Sequence, residues 1–325
     1  MQKGSGTILF LALLVVCLAT LEVCFASGGV RVLEFPADYS VGKLTVLTAA
    51  PVGYGKCDGK FLAEARGLVK LPSGRLINFE PSGAFYRHPE VLLKLPPDAF
   101  DFIELRFMPM TDEESALSVR VIPFVRHISA LKGIDLDNSE ITDKDLSQLG
   151  AMPDLEYLSA GNSVITGSCL SALKGCKKLV ALRLGSAQVD DESLRYLQDF
   201  PRLARLGMTQ VNLSLRGLEH VSKCQSITAL DIDFNHRLDD KAVPLLLKLP
   251  KLSFLSLKET KISLQGLELL AKHGVVDIDL PKPFSKYLPL EQARIRKAFP
   301  HKHFSTKSDK ELDDYTRTMF APMTR

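Results

Sequence analysis

Residues 179–206 read LVALRLGSAQVDDESLRYLQDFPRLARL, and the spacing of that stretch decides the fold. Leu179, Leu182 and Leu184 form an L-x-x-L-x-L phrase whose last two members alternate, as one face of a short strand requires. Val189 comes ten residues after Leu179. Asp190 beside it is a good helix N-cap, because its carboxylate can accept a bond from an unpaired N–H of the first turn. Leu194, Leu197 and Phe200 then recur in steps of three along one helix face, and Pro201 stops the helix. Leu203 and Leu206 begin the phrase again, so one unit is a strand, a turn, a capped helix and a return loop.

The same phrase appears at Leu131-x-x-Ile134-x-Leu136, Leu155-x-x-Leu158-x-Ala160, Leu203-x-x-Leu206-x-Met208, Ile227-x-x-Leu230-x-Ile232 and Leu252-x-x-Leu255-x-Leu257. A divergent first copy is Phe100-x-x-Ile103-x-Leu105, and a terminal one is Val275-x-x-Ile278-x-Leu280. The steps between starts are 31, 24, 24, 24, 24, 25 and 23 residues. The cap column reads Thr111, Thr142, Thr166, Asp190, Ser214, Asp239 and Ser263, followed by apolar sets such as Leu146/Leu149/Met152, Leu170/Leu173/Cys176 and Leu218/Val221/Cys224. Pro153 and Pro250 end two further helices. Such a unit cannot bury its apolar edge alone. Stacking neighbours at ~4.8 Å per strand makes a continuous core under a parallel sheet, an α/β solenoid.

Residues 100–280 resemble leucine-rich-repeat proteins in the 24-residue form L-x-x-L-x-L-x-x-[ST]-x-[IV]-[TS]-D-x-x-L-x-x-L, common in exported bacterial proteins. The resemblance implies a right-handed strand-helix horseshoe of about seven repeats over 99–280. The usual Asn ladder position departs from the pattern: it holds Ser139, Ser163, Ala187, Val211 and Thr260, with only Asn235 matching. The Ile-Thr-Asp turn is also similar to the substrate-recognition arrays of F-box ubiquitin-ligase receptors. That reading is secondary, since no F-box-like helical segment precedes the repeats and the leader points away from the cytosol.

The flanks differ in character. Lys3, an apolar or small stretch from Thr7 to Leu21 and Cys24-Phe25-Ala26 ahead of Ser27 have the layout of a signal peptide over 1–26. The stretch is shorter than the ~20 residues that cross a bilayer, so an uncleaved anchor is the weaker reading. No other run spans a membrane, and the mature chain is expected to be secreted, periplasmic or at the cell surface. Residues 27–98 read as short strands over 30–35, 43–48, 68–71 and 75–79, a small β-rich module covering the first repeat. Residues 281–325 read as a C-terminal cap, closing on Ala298-Phe299-Pro300, and a basic tail with 10 Lys plus Arg against 5 Asp plus Glu. Over the whole chain 41 basic and 38 acidic residues leave +3, no excess of the kind that implies nucleic acid. A hydrophobic content of 46% excludes disorder.

Chemistry-bearing motifs are sparse. Asp112, Asp143, Asp190, Asp191, Asp239 and Asp240 recur at helix starts, where the helix dipole favours negative charge. Removing the leader leaves Cys57, Cys169, Cys176 and Cys224, of which Cys176 and Cys224 share an inward column and are expected to be buried thiols. Gly53 to Lys60 is one residue too long for a phosphate loop and lacks its Ser or Thr. His301 and His303 have no acidic or Cys partner beside them. Asn212-Leu213-Ser214 fits a glycosylation acceptor, but Leu213 belongs to the core frame. No catalytic, cofactor or metal motif is present.

Function is therefore expected on the concave face. If the repeat leucines point inward, positions +2, +4 and +6 point from the sheet into solvent. The candidate partner-binding residues there are Phe102, Arg106, Asp135, Asp137, Tyr157, Arg183, Arg205, Asp231, Asp233, Phe254 and Lys258. Arg and Tyr are enriched at interface hot spots, so a monomeric, non-catalytic scaffold binding a protein partner is the expectation. The alternatives are a structural cell-surface component and an enzyme housed in residues 27–98.

Overall fold

The computed structural model describes residues 31–48, 59–106, 117, 120–150, 152–186 and 188–304. The leader, most of the basic tail, Cys57, Gly53 to Asp58, Thr111, Asp112 and Ala187 lie outside the described residues. Eight short strands follow the repeat frame: β6 (Phe102–Glu104), β7 (Gly133–Asp135), β8 (Tyr157–Gly161), β9 (Ala181–Gly185), β10 (Arg205–Thr209), β11 (Ala229–Asp231), β12 (Phe254–Ser256) and β13 (Asp277–Asp279). Each pairs in parallel with the next, in chain order.

Before them come β1 (Arg31–Glu34), β2 (Gly42–Leu47), β3 (Gly59–Glu64), β4 (Leu68–Leu71) and β5 (Ile77–Pro81). β5 pairs in parallel with β6 and antiparallel with β2, which carries β3 on its other side, so these three extend the repeat sheet. β1 and β4 form a separate antiparallel pair. The join is filled by aromatics: the Phe79 ring lies 5.0 Å from Phe100 and 5.5 Å from Phe85, and all three are buried.

Because strands pair at equal frame positions, like residues stack. Ile103, Ile134, Leu158, Leu182, Leu206, Leu230, Leu255 and Ile278 form one ladder, none of them more than 2% exposed. Burying each such side chain contributes about 1.5–3 kcal/mol, and the ladder faces the helices. Asp143–Ser147, Leu215–Val221, Val243–Leu246 and Leu264–His273 are α-helical. Ser168–Gly175 and Asp191–Asp199 wind as 3-10 helices instead, three residues per turn, which keeps their step-of-three apolar residues in line.

The caps form as the column predicts at Thr142, Asp190, Ser214, Asp239 and Ser263, whose side chains accept first-turn N–H bonds. Thr166 is the exception. The helix starts at Ser168 behind Gly167, held at φ 93°, and the Thr166 N–H and hydroxyl donate to Asp143 at 2.7 and 2.8 Å. Asp143 also accepts from the N–H groups of Gly167 and Cys169, both at 3.0 Å. Burial works against its charge, but the bonds from Thr166 and Cys169 outweigh it and hold the carboxyl below the ordinary range. Asp191 accepts from Ser214 Oγ at 2.5 Å, and Asp240 from Ser263 N–H at 2.8 Å. The acid at the helix start therefore fastens each of these units to the next, a role beyond complementing the dipole.

The polar ladder beneath the strands is equally regular. Ser139, Ser163 and Thr260 donate to the carbonyls of Leu136, Ala160 and Leu257, three residues back, at 2.6, 2.8 and 2.7 Å. Val211 has no such donor. Asn235 supplies it from the next unit: its Nδ2 donates to Ile232 O at 3.0 Å and to Met208 O at 2.8 Å, while Oδ1 accepts from Leu213 N–H at 2.8 Å.

At the far end the helix Pro289–Ala298 buries Ile295, Phe299 is buried behind it, and Phe304 stacks on Phe284 at 5.0 Å. His301 and His303 are exposed, whereas Lys302 between them bonds Asp277 and Asp279 at the sheet edge.

Candidate functional site

The sheet face opposite the helices carries three rows, set by register. One runs Phe102, Gly133, Tyr157, Ala181, Arg205, Ala229, Phe254, Asp277. The next runs Glu104, Asp135, Ser159, Arg183, Gly207, Asp231, Ser256, Asp279. Arg106, Asp137, Gly161, Gly185, Thr209, Asp233 and Lys258 complete the third by frame position.

Solvent exposure was expected along all three rows, and the structure corrects this. Phe102, Glu104, Asp137, Asp231 and Asp233 are buried, because neighbours ~4.8 Å apart on adjacent strands let a long side chain lie flat across a small one. Phe102 lies over Gly133, where an added Cβ would sit 2.3 Å from its ring, and meets Tyr157 with ring centroids 5.9 Å apart. Arg183 crosses Gly161 to pair with Asp137 two strands away, and a Cβ on Gly161 would stand 2.8 Å from its Nη1. Both glycines are there for close approach.

The acids form two matching clamps. In the first, Asp135 Oδ1 accepts from Asp137 N–H at 2.9 Å, and Asp137 Oδ1 accepts from Ser159 Oγ at 2.6 Å and Gly161 N–H at 2.7 Å. In the second, Asp231 Oδ1 accepts from Asp233 N–H at 3.0 Å, and Asp233 Oδ1 accepts from Ser256 Oγ at 2.6 Å and Lys258 N–H at 2.7 Å. The other oxygen of each leading Asp reaches back one unit, Asp135 to Arg106 Nε at 2.6 Å and Asp231 to Thr209 Oγ1 at 3.0 Å. The sequence signal was the pair Asp135-Leu136-Asp137 and Asp231-Ile232-Asp233, each with a Ser one strand on. The serines were not singled out from sequence.

Crowded acids titrate late. Burial first, and Asp137 next, push Asp135 up to about 6; burial first, and Asp231 next, push Asp233 up to about 7. Burial also raises Glu104 to about 7, against Arg106 and with help from Asp135; Asn78 Nδ2 donates to its Oε1 at 2.9 Å. Lys258 Nζ sits 3.8 Å from Asp233 and 3.5 Å from Asp279.

Arg205 stands apart. Its Nη1 is buried and, among the described residues, has no hydrogen-bond partner. Tyr157, Arg205 and Phe254 remain partly exposed in one row. The nucleophiles are elsewhere: Cys169, Cys176 and Cys224 are buried free thiols, with burial raising all three and Cys224 reaching about 12. Among the described residues no group of three or more His, Cys, Asp or Glu is placed to hold a metal ion, and no helix is long and apolar enough to cross a membrane.

No protein-family model matches the sequence, and a search of curated proteins finds no significant match. Among solved structures the chain is similar to an internalin (inlF) from Listeria monocytogenes, at 14% identity over 61% of this chain with a TM-score of 0.40. The chain spans about half (52%) of that protein's length.

Proposed function

We propose that this chain is an exported, non-catalytic scaffold that binds a protein partner through the concave sheet face. The observation that carries the reading is the row Tyr157, Arg205, Phe254: two aromatics and an arginine left partly exposed on a face whose other charges are consumed internally. Aromatic and arginine side chains are the types that dominate interface energetics. Export is supported by the leader pattern of residues 1–26, and the burial of Cys169, Cys176 and Cys224 suits an oxidising compartment, since buried thiols are inert there. The Phe79 and Phe100 packing favours a capping role for residues 27–98 over an active site in them. On this reading the mature protein acts as a monomer.

The test is proximity labelling in the native host, comparing wild type with Tyr157→Ala and Phe254→Ala. Loss of the same labelled envelope proteins in both variants supports the reading. An unchanged set of partners, with both variants folded, refutes it. Arg183 is unsuitable as a probe, because its removal leaves Asp137 buried without its cation.

A further inference from the structure

The cations on this face are not equivalent. Arg106 pairs with Asp135, Arg183 with Asp137, Lys258 with Asp233 and Asp279, and Lys302 with Asp277 and Asp279. Arg205 alone among them, within the described residues, forms no ion pair, and its buried Nη1 donates to nothing. The clamp acid on the adjoining strand is committed elsewhere: Asp231 accepts from Asp233 N–H and from Thr209 Oγ1. The residue as a whole is partly exposed, so the rest of its guanidinium, equally without a partner among the described residues, is open to an acceptor from outside, and an unmade bond of this kind is costly.

The surroundings say what kind. Arg205 is flanked in register by Ala181 and Ala229, whose methyl groups leave room on either side. Beyond them stand Tyr157 and Phe254, about 10 Å to each side at strand spacing. The row is thus an arginine between two small floors and two aromatic walls. A guanidinium fork matches a carboxylate with two parallel N–H bonds, and the aromatic walls exclude water from that pair.

We propose that Arg205 anchors an Asp or Glu side chain of an extended segment of the partner protein, with the apolar neighbours of that acid seated over Ala181 and Ala229 between Tyr157 and Phe254. This rests on the concave-face reading above and supplies its chemistry. The test pans a random peptide library displayed on phage against the full chain, then measures the selected peptides against variants. The expected binders contain an acid, lose affinity about tenfold or more when it is changed to its amide, and lose as much on Arg205→Ala. Arg205→Glu is expected to select Lys- or Arg-containing peptides instead.

Binders lost on Tyr157→Ser and Phe254→Ser but indifferent to Arg205→Ala would overturn the carboxylate anchor while leaving the concave face as the site. Binders indifferent to all three variants would overturn both readings. Displacement by inorganic phosphate where acetate has no effect would assign Arg205 to a phosphoryl group and overturn the proposal. A melting temperature of Arg205→Ala equal to or above wild type is expected, because a donor without a partner is removed. A marked fall would make Arg205 structural and also overturn it.

Discussion

Replacing Asn235 by Ala removes a side chain that is 1% exposed and serves two units at once. Three bonds disappear from groups of the buried ladder: Nδ2 to Met208 O at 2.8 Å, Nδ2 to Ile232 O at 3.0 Å, and Leu213 N–H to Oδ1 at 2.8 Å. The fourth contact, to Asp233 O, matters less, since that carbonyl also accepts from Gln210 N–H at 2.8 Å. Each buried backbone group left unsatisfied costs about 1–3 kcal/mol, so the substitution is expected to cost about 3–5 kcal/mol. Ser139→Ala removes one bond of the same ladder and is expected to cost about 1 kcal/mol. The excess at Asn235 arises from Val211, whose unit lacks its own donor. Adding Val211→Ser to Asn235→Ala places a hydroxyl three residues after Met208, as Ser139 stands to Leu136, and is expected to restore about 1 kcal/mol. Urea unfolding followed by circular dichroism gives the free energies. Amide exchange at Leu213 reports the local opening that a repeat array permits. Equal costs for Asn235→Ala and Ser139→Ala, with Leu213 still protected, would falsify the reasoning.

Raised carboxyls set a pH dependence. Glu104, Asp135 and Asp233 hold protons in the folded chain that the unfolded chain has already released, so their contribution makes stability fall as pH rises from about 4 to about 7. Glu104→Gln is expected to flatten that slope and to stabilise the chain by about 1–3 kcal/mol at about pH 8, read from urea midpoints; a steeper slope would refute it. Gly161→Ala is expected to evict Arg183 from Asp137 and cost about 2–4 kcal/mol. Arg183→Ala added to it should cost little more, and additive losses would show that the arginine does not depend on that glycine. In a Cys57→Ser variant expressed without residues 1–26, thiol reagent is expected to label nothing in the folded chain until denaturant exposes Cys169, Cys176 and Cys224; prompt labelling would contradict their burial.

Much of the fold was legible one unit at a time. Strand starts, the leucine ladder and five of the caps each depend on spacing within a single repeat, and spacing is what a sequence displays. Thr166 shows where this stops. It is as good a cap as Thr142, yet Asp143 of the preceding unit takes the Cys169 N–H that a cap there would accept, and nothing inside its own repeat signals that competition. The candidate face was legible as a set of positions but not as a set of partners. Phe102, Arg106, Asp135, Asp137, Arg183, Asp231, Asp233 and Lys258 were picked by alternation, and the structure assigns them to one another rather than to solvent.

What the sequence determined by itself is the repeat: an α/β array with its apolar frame inward, because period and side-chain polarity act locally. What only the tertiary structure decided is which charges remain free. Arg183 and Asp137 are 46 residues apart and meet because two strands are in register and a glycine between them has no side chain to bar the way. Arg205 has an equal charge and a similar frame position, but alanines lie beside it and it forms no ion pair among the described residues. Pairing across a sheet is a property of three neighbouring strands together, so the unpaired arginine could be identified only after Arg106, Arg183, Lys258 and Lys302 on the same face had found their acids.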